Sequence, residues 1–372
     1  AAMIRAGRAG RAGRAGGAAL RWRGTRQTFT SLVAASGFVG LALALALVPV
    51  PYVTWSPGGT RDTLGMLDNA PVISIAGTPT YPTSGRLDLT VVSVTAVDSK
   101  LNLPQAVGAY WLPARDALPR EAVYPPGTSV EESERVDTEQ MDTAQDDAVV
   151  AALRQAGRAV VERPAVASVT GGAPAHTRLR AGDLVLAVDG SAVDSPEEVS
   201  RAVAAHRPGE TITFRLLRDD REAVVRVRAG AAPGNPGRAV VGITVGPGYS
   251  YAPTISFELG RRLGGPSAGL VFALAIYDKI TPGALLGGRH VAGTGTITAG
   301  GQVGPIGGIQ EKIAGAEDAG AEVFLLPADN CNELAGLDAD LTLVRVATLA
   351  DAVDALETLA EPGGATRTPR CG

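Results

Sequence analysis

The most constraining feature of this chain is an uncharged apolar segment near its start. Residues 28–53 contain no charged side chain, and their centre reads LVAASGFVGLALALALVPV. As a helix, this run is long enough to cross the roughly 30 Å hydrocarbon core of a bilayer. Seven arginines and no acidic residue precede it, within residues 1–27. We therefore predict a single transmembrane helix over 28–53 behind a disordered, Arg-rich tail of low complexity.

The arginine cluster also predicts how the chain is oriented. Positive charge flanking a membrane span is usually kept in the cytoplasm, so the tail is expected inside the cell. Everything after Val53, including any catalytic domain, is then expected outside the cytoplasmic membrane. A cleaved signal peptide, cut near Ala44–Ala46, is the alternative. The length of the apolar run and the prolines that follow it, Pro49 and Pro51, favour an uncleaved anchor.

Charge and cysteine content exclude several function classes. Without the seven arginines, the formal net charge of the remaining chain falls from −4 to −11, which argues against a nucleic-acid partner. Three histidines share no metal-ligand spacing, and two cysteines are too few for a four-cysteine zinc site. We therefore expect no metal and no cofactor. Because exported cysteines tend to pair, we predict a disulfide between Cys331 and Cys371 that ties back the tail, residues 361–372.

The first part of the expected ectodomain, residues 54–157, is predicted to be β-rich. Residues 87–96 (LDLTVVSVTA) have the β-branched content of a strand. Residues 126–147 are acidic and polar, which indicates a solvated helix face or a linker. Residues 146–157 follow as a predicted amphipathic helix with acids in its first turn and a glycine at its end.

A compact unit is predicted over residues 158–230. It contains GAPAHTRLRAGDLVLAVDGSAV, then a helix capped by Ser195, then two alternating strands. These segments resemble a PDZ domain of the bacterial, protease-associated kind. The resemblance implies a module that binds peptides by adding a strand at an open sheet edge, and so recruits or gates substrates. The segment PAVASV (164–169) is the candidate binding strand, and no carboxylate-binding loop stands out in the sequence.

The segment GGPSAGL (264–270) places a serine where a helix begins. Ser267 follows Gly265 and Pro266 and precedes Ala268 and an apolar run of helical length. Free backbone N–H groups at a helix start can serve as an oxyanion hole, although a plain N-cap is the alternative. The letters also fit the G-x-S-x-G elbow of esterases. No buried strand precedes this serine, and no suitably spaced acid and histidine follow it, which argues against an esterase.

A catalytic serine without histidine needs another base. Lysine can serve if burial lowers its pKa, whereas arginine stays protonated. The chain has three lysines: Lys100, Lys279 and Lys312. Lys100 precedes the PDZ-like unit, and Lys279 ends the helix that Ser267 begins, roughly 18 Å along its axis. Lys312 lies on a predicted helix over 309–319 that is free to pack beside Ser267. A surface lysine paired with a neighbouring acid is the alternative.

Two segments together carry a second resemblance. GGPSAG and HVAGTGTITAGGQVGPIGGIQEKIAGAEDAGAEVFLLPADN (290–330) resemble the proteolytic domain of Lon proteases, with 45 positions from Ser267 to Lys312. The resemblance covers residues 238–360. It implies Ser267 as nucleophile, Lys312 as general base and Thr294 as a residue that helps orient the lysine. The residues beside the serine would support it: Gly265, Pro266 and Ala268.

The order of the segments carries a resemblance over nearly the whole chain. An anchor, a β-rich segment, a PDZ-like unit and a Lon-like domain resemble the PDZ-containing Lon-like membrane proteases of Gram-positive bacteria. No G-x-x-x-x-G-K-[ST] motif occurs, so an ATPase module is not expected. The expected protein is a multidomain α+β, ATP-independent serine endopeptidase that acts on protein or peptide substrates. A homo-oligomer is plausible by analogy with Lon rings. A catalytically silent adaptor at the membrane is the alternative.

Overall fold

The computed structural model describes residues 26–218, 221–260 and 263–371. Most of the Arg-rich tail predicted over 1–27 therefore lies outside the described residues. The strands are β1 (Pro49–Val50), β2 (Tyr52–Asp62), β3 (Met66–Leu67), β4 (Ala70–Pro71), β5 (Ile73–Ala76), β6 (Arg86–Val94), β7 (Leu101–Asn102), β8 (Asp116–Pro119), β9 (Val161–Val169), β10 (Leu184–Val188), β11 (Ser191–Ala192), β12 (Thr211–Arg218), β13 (Arg221–Arg228), β14 (Gly230–Ala232), β15 (Asn235–Val240), β16 (Ile243–Ser250), β17 (Thr254–Phe257), β18 (His290–Gly293), β19 (Thr296–Ile297), β20 (Val303–Gly304), β21 (Val323–Pro327) and β22 (Thr342–Val346). The helices are α1 (Arg26–Leu47), α2 (Leu103–Trp111), α3 (Arg120–Val123), α4 (Val130–Gln155), α5 (Pro196–Ala204), α6 (Gly269–Ile280), α7 (Ile309–Asp318) and α8 (Leu349–Ala360), with 3₁₀ turns at Ala328–Leu334 and Gly364–Thr366.

Helix α1 is the apolar helix near the N-terminus. Among the described residues it is the one helix that is both long and apolar enough to cross a bilayer. It ends at Leu47, so the helix predicted over 28–53 is too long at its C-terminal end. The reason is Pro49, which lacks the N–H that a continuing helix requires. The chain turns instead into the short strand β1 and then into β2.

The first of two six-stranded sheets has the strand order β22–β21–β18–β6–β2–β8. Strand β18 pairs in parallel with β21 on one side and with β6 on the other, and β2 pairs antiparallel with β6. Strand β6, and β2 apart from its first two residues, come from residues 54–157, which the sequence predicts to be a separate segment. That division is wrong, because buried Leu87 and Leu89 complete the sheet of the Lon-like domain beside β18. The domain is therefore discontinuous, and it does not begin at residue 238.

Helix α4 replaces the predicted linker and short helix. The side chain of Ser129 accepts a hydrogen bond from the N–H of Glu132 and caps a single 26-residue helix. The acidic first half is largely exposed, whereas the segment 148–153 is buried and packs on α6. Helices α4, α6 and α8 thus form one hydrophobic core with the first sheet. Its fully buried members include Leu153, Phe272, Leu274, Val344 and Leu356.

The second six-stranded sheet has the order β13–β12–β10–β9–β16, with β11 paired to β10, and its own core with helix α5. Strand β16 pairs antiparallel with β9, from Ile243 opposite Val169 to Ser250 opposite Val161. The PDZ-like unit therefore extends past its predicted end at residue 230. The candidate binding strand at 164–169 is also wrong, because β9 is enclosed between β10 and β16. The outer strand beside it is β16.

The last described residues pack against the first sheet. Cys331 and Cys371 form a disulfide, with their Cα atoms 5.2 Å apart. The N–H of Arg345 in β22 donates to the carbonyl oxygen of Pro369 at 3.1 Å, and Thr368 is buried. The segment predicted as a flexible tail, residues 361–372, is thus attached to the domain over the part that the structure describes.

Candidate active site

Ser267 lies in the turn that leads into α6. The helix begins at Gly269, with Ala268 as its N-cap residue, so the serine stands at the positive end of the helix dipole. Gly265 has a φ of +82°, a backbone conformation that residues other than glycine rarely adopt. At Gly264 a Cβ would come within 2.8 Å of the Cβ of Asp137 on α4. The glycines before the serine therefore allow a tight turn against α4.

Lys312 reaches the serine from the first turn of α7. Gly308, whose backbone conformation is left-handed, precedes this helix and allows the chain to turn back toward the sheet. The Nζ atom of Lys312 lies 3.0 Å from the Oγ of Ser267 and 2.8 Å from the carbonyl oxygen of Thr90. Lys312 is only 3% exposed. The two residues that the sequence singles out are therefore in hydrogen-bond contact, across 45 positions of chain.

The protonation of Lys312 follows from this burial. Removal from water disfavours the charged form and lowers the pKa of Lys312 from 10.5 to about 8. With this pKa, about one molecule in ten carries a neutral lysine at pH 7 and about half do at pH 8, and a neutral amine can accept a proton. The arrangement therefore provides a nucleophile and a base in contact.

Thr294 takes a different position from the one that the resemblance implies. Its hydroxyl donates to the carbonyl oxygen of Ser267 at 3.0 Å, and the N–H of Gly295 donates to the same oxygen at 2.8 Å. Thr294 thus fixes the backbone of the serine rather than the lysine side chain. The lysine is oriented by the carbonyl of Thr90 on β6, which sequence reasoning missed. Every residue has a backbone carbonyl, so the residue types do not indicate which carbonyl contacts the lysine. Only the pairing of β6 with β18 could have revealed the contact with Thr90.

A cavity of about 450 Å³ opens beside the serine and the lysine. This volume is typical of sites that hold small molecules or several side chains of a peptide. Gly265, Pro266 and Ala268 all line it, and their supporting role stays a prediction. The rest of the lining is mostly apolar and includes Trp55, Leu89, Val91, Val92, Met141 and Ile306. The site is therefore built from both halves of the discontinuous domain.

Comparisons with protein-family models agree with this architecture. One model, described as a PDZ domain, matches residues 127–228, and another, the Lon protease (S16) C-terminal proteolytic domain, matches residues 262–358. The chain carries a PDZ domain and a Lon-type proteolytic domain. The second match contains both Ser267 and Lys312, whereas β2 and β6 of the same sheet lie before either match.

Curated relatives align with the Lon-type domain. A Lon protease of Roseiflexus castenholzii is 44% identical over 70 residues, which are 19% of this chain and 8% of the relative. A Lon protease of Desulforamulus reducens is 36% identical over 97 residues, which are 26% of this chain and 12% of the relative. The alignments thus span about a tenth of the length of these proteins.

Solved structures align with the PDZ domain. The PDZ domain of an SdrC-like protein from Listeria monocytogenes is 28% identical and covers 22% of this chain and 86% of that chain, with a TM-score of 0.21. A protein from Geobacillus thermodenitrificans is also 28% identical and covers 22% of this chain and 92% of that chain, with a TM-score of 0.20. TM-scores of this size add nothing to the assignment.

Proposed function

We propose that this protein is a serine endopeptidase that uses a Ser267–Lys312 dyad without ATP. The observation that carries the proposal is the contact of 3.0 Å between the Oγ of Ser267 and the Nζ of a buried lysine. Burial lowers the pKa of this lysine to about 8, which suits a general base near neutral pH. The match to the Lon proteolytic domain supports the same reaction.

The proposed reaction has two halves. Neutral Lys312 takes the proton of the Ser267 hydroxyl, and the resulting alkoxide attacks the carbonyl carbon of a peptide bond. Backbone N–H groups near Ser267, in the turn before α6, are the candidates that stabilise the tetrahedral oxyanion. The N–H groups of Gly269 and Leu270 already donate to the carbonyl oxygens of Pro266 and Gly295. Protonated Lys312 then gives its proton to the leaving amine, and an ester to Ser267 remains. In the second half, Lys312 deprotonates a water molecule that attacks the ester, and the proton returns to Ser267 as the acid product leaves.

The proposed location is the outer face of the cytoplasmic membrane. The exposed apolar helix α1 supports an anchor, and the seven arginines before it support a cytoplasmic N-terminus. The disulfide between Cys331 and Cys371 supports an oxidising compartment for the catalytic domain. Protein segments exported across that membrane are then the substrates that the site would meet.

The PDZ domain is proposed to recruit substrates or to gate the site. A groove of about 170 Å³ lies between α5 and residues 238–245, which include the end of β15 and the start of the outer strand β16. Apolar side chains line it, among them Val199, Val203, Val241 and Ile243. Because β16 is the last strand of its sheet, its outer edge is available to an added peptide strand. An extended peptide with a small aliphatic side chain suits this groove.

The test compares three forms of the detergent-solubilised full chain: unaltered, Ser267→Ala and Lys312→Ala. Each is incubated with an unfolded protein substrate, with and without ATP, and the products and any autolysis are followed by mass. We expect cleavage by the unaltered chain alone, at the same rate in both conditions. Equal cleavage by all three forms would show that the dyad is not the source of the activity. If none cleaves even with a peptide bound to the PDZ domain, the adaptor alternative is favoured.

A further inference from the structure

Helix α2 presents an apolar face to solvent close to the end of α1. Its exposed residues Leu103, Val107, Tyr110 and Trp111 follow the spacing of one helix face. Tyr110 is 72% exposed and Trp111 is 78% exposed, and the helix sequence LPQAVGAYW contains no charge. A solvent-facing helix in an acidic protein normally carries charges. An uncharged face with two adjacent aromatic residues indicates that something other than water covers it.

The apolar face of α2 is held firmly in place. On the adjoining side of the helix, Ala106 and Ala109 are buried, where α2 packs on β2 and β8. At its start, Asn102 and Gln105 exchange side-chain-to-backbone hydrogen bonds, both 3.0 Å long, in a capping box. The aromatic residues therefore project from a fixed helix rather than from a frayed segment.

Pairing of β1 with β7 places α2 beside the end of α1. Pro49 lies opposite Asn102, and Val50 lies opposite Leu101. Partners in an antiparallel ladder have Cα atoms about 5 Å apart, and Pro49 is two residues past the end of α1. Since α2 begins immediately after Asn102, its first turn lies roughly 10–15 Å from Leu47. Helices α1 and α2 also contact each other directly.

We propose that α2 is an interfacial helix whose Leu103, Val107, Tyr110 and Trp111 face docks on the outer leaflet of the bilayer that α1 spans. This rests on the proposed membrane anchor. Helix α1 is about 33 Å long, close to the hydrocarbon thickness, so Leu47 comes near the outer boundary. Helix α2 then starts at the depth where Trp and Tyr are enriched, and an apolar helix face is stabilised by burial there.

Docking of α2 gives the catalytic domain a second attachment to the membrane. Helix α2 packs on β2, and Trp55 of β2 lines the catalytic cavity. Trp55 is eight positions past Leu47, so their Cα atoms are at most about 29 Å apart. Two attachments limit rotation about α1 and hold the cavity at a fixed height above the lipid. The site would then reach polypeptide segments that lie near the outer membrane surface.

The experiment uses the full-length protein in phosphatidylcholine vesicles with bromine atoms on the upper acyl chain. The chain has three tryptophans, so the emission of Trp111 is taken as the difference between the unaltered protein and Trp111→Phe. We expect this difference emission to be blue-shifted and quenched at least twofold by the bromines. The matched control is Val224→Trp in the Trp111→Phe background. Val224 is 65% exposed on β13 of the other sheet, so its tryptophan should remain unquenched.

Insertion of α1 is measured separately, as resistance to extraction by alkaline carbonate. If the protein resists extraction but Trp111 is not quenched, docking of α2 is wrong and the anchor stands. If Trp111 is blue-shifted without quenching, and the shift depends on the protein-to-lipid ratio, a protein surface covers α2 and the proposal is overturned. If the protein is extracted, both the anchor and the docking fail. Peptidase activity in detergent is independent of all three outcomes.

Discussion

The carbonyl oxygen of Thr90 accepts a hydrogen bond from the Nζ of Lys312 at 2.8 Å, across 222 positions of chain. A carboxylate in this place would also orient the lysine, but its negative charge would raise the pKa of Lys312 again. A backbone carbonyl fixes the direction of the amine without adding a charge. Strand β6 therefore helps to keep the lysine both aligned and easy to deprotonate.

The pH dependence of cleavage should report Lys312. Because the base must be neutral, kcat/KM should increase about tenfold per pH unit below the lysine pKa of about 8. Above that pKa it should no longer change with pH. The measurement is a pH–rate profile from pH 6 to 10 with an uncharged peptide substrate. A profile that is flat between pH 6 and 9 would contradict a lysine base.

Replacement of Lys312 by Met should change how stability depends on pH. Between the folded pKa of about 8 and the ordinary value of 10.5, the unfolded chain holds a proton that the folded chain has released. The free energy of unfolding should therefore rise with pH in this window, by at most about 1.4 kcal/mol per unit. Lys312→Met should lose this rise.

Urea unfolding of both proteins at pH 7.5, 8.5 and 9.5 provides the measurement. Other groups titrate in both proteins alike, so only the difference between the two curves is interpreted. That difference should grow with pH in favour of the unaltered protein. A difference that stays constant from pH 7.5 to 9.5 would show that the lysine has the same pKa in the folded and unfolded chains.

The sequence identifies the two side chains of the site but not the whole of it. Ser267 and Lys312 lie in long glycine-rich segments whose spacing is informative, and the choice among three lysines follows from helix length. Thr90 could not be found this way, because its contribution is a backbone carbonyl. The resemblance implies that Thr294 orients the lysine, whereas its hydroxyl donates to the carbonyl oxygen of Ser267. A resemblance names a residue without indicating which atom its hydroxyl contacts.

The discontinuity of the catalytic domain has a similar cause. The strand that the sequence predicts at 87–96 is β6, and each of its ends lies within two residues of the predicted one. Its partner β18 lies some 200 positions later, and local patterns do not specify pairing across that distance. The acidic stretch at 126–147 was open to two interpretations, because a solvated helix face and a linker have the same composition. In the structure, residues from Val130 on belong to one helix, α4, whose segment 148–153 is buried against α6.

Thr294→Val should weaken both catalysis and stability. The variant loses the hydrogen bond from the hydroxyl to the carbonyl of Ser267, worth about 1 kcal/mol. If that loss is expressed in the transition state, kcat falls roughly fivefold. Thr294→Ser keeps the hydroxyl and serves as the control, with kcat expected near the unaltered value. A loss in Thr294→Ser without a loss in Thr294→Val would mean that the methyl group, rather than the hydroxyl, is important.

Reduction of the disulfide should destabilise the catalytic domain. Cys331 and Cys371 are 40 positions apart, and opening a loop of this length typically costs about 2–4 kcal/mol. Urea unfolding with and without dithiothreitol measures this change. Cys371→Ala should already be destabilised and should not respond to dithiothreitol. An equal response of Cys371→Ala and the unaltered protein would place the effect elsewhere.

Asp278 provides a test of buried charge away from the dyad. It is 1% exposed at the end of α6, where its Oδ1 accepts from the N–H of Leu285 at 2.9 Å and its Oδ2 has no hydrogen-bond partner among the residues that the structure describes. Burial raises the pKa of this carboxyl, so the folded chain holds its proton more tightly than the unfolded chain does. Its contribution to stability is therefore greatest at low pH and is lost as pH rises through the folded pKa.

Asp278→Asn keeps the acceptor and cannot ionise, so its stability relative to the unaltered protein should improve from pH 4 to pH 7. Thermal unfolding of both proteins over that range measures the trend, and a constant gap would show that Asp278 is already ionised at no cost in the folded chain.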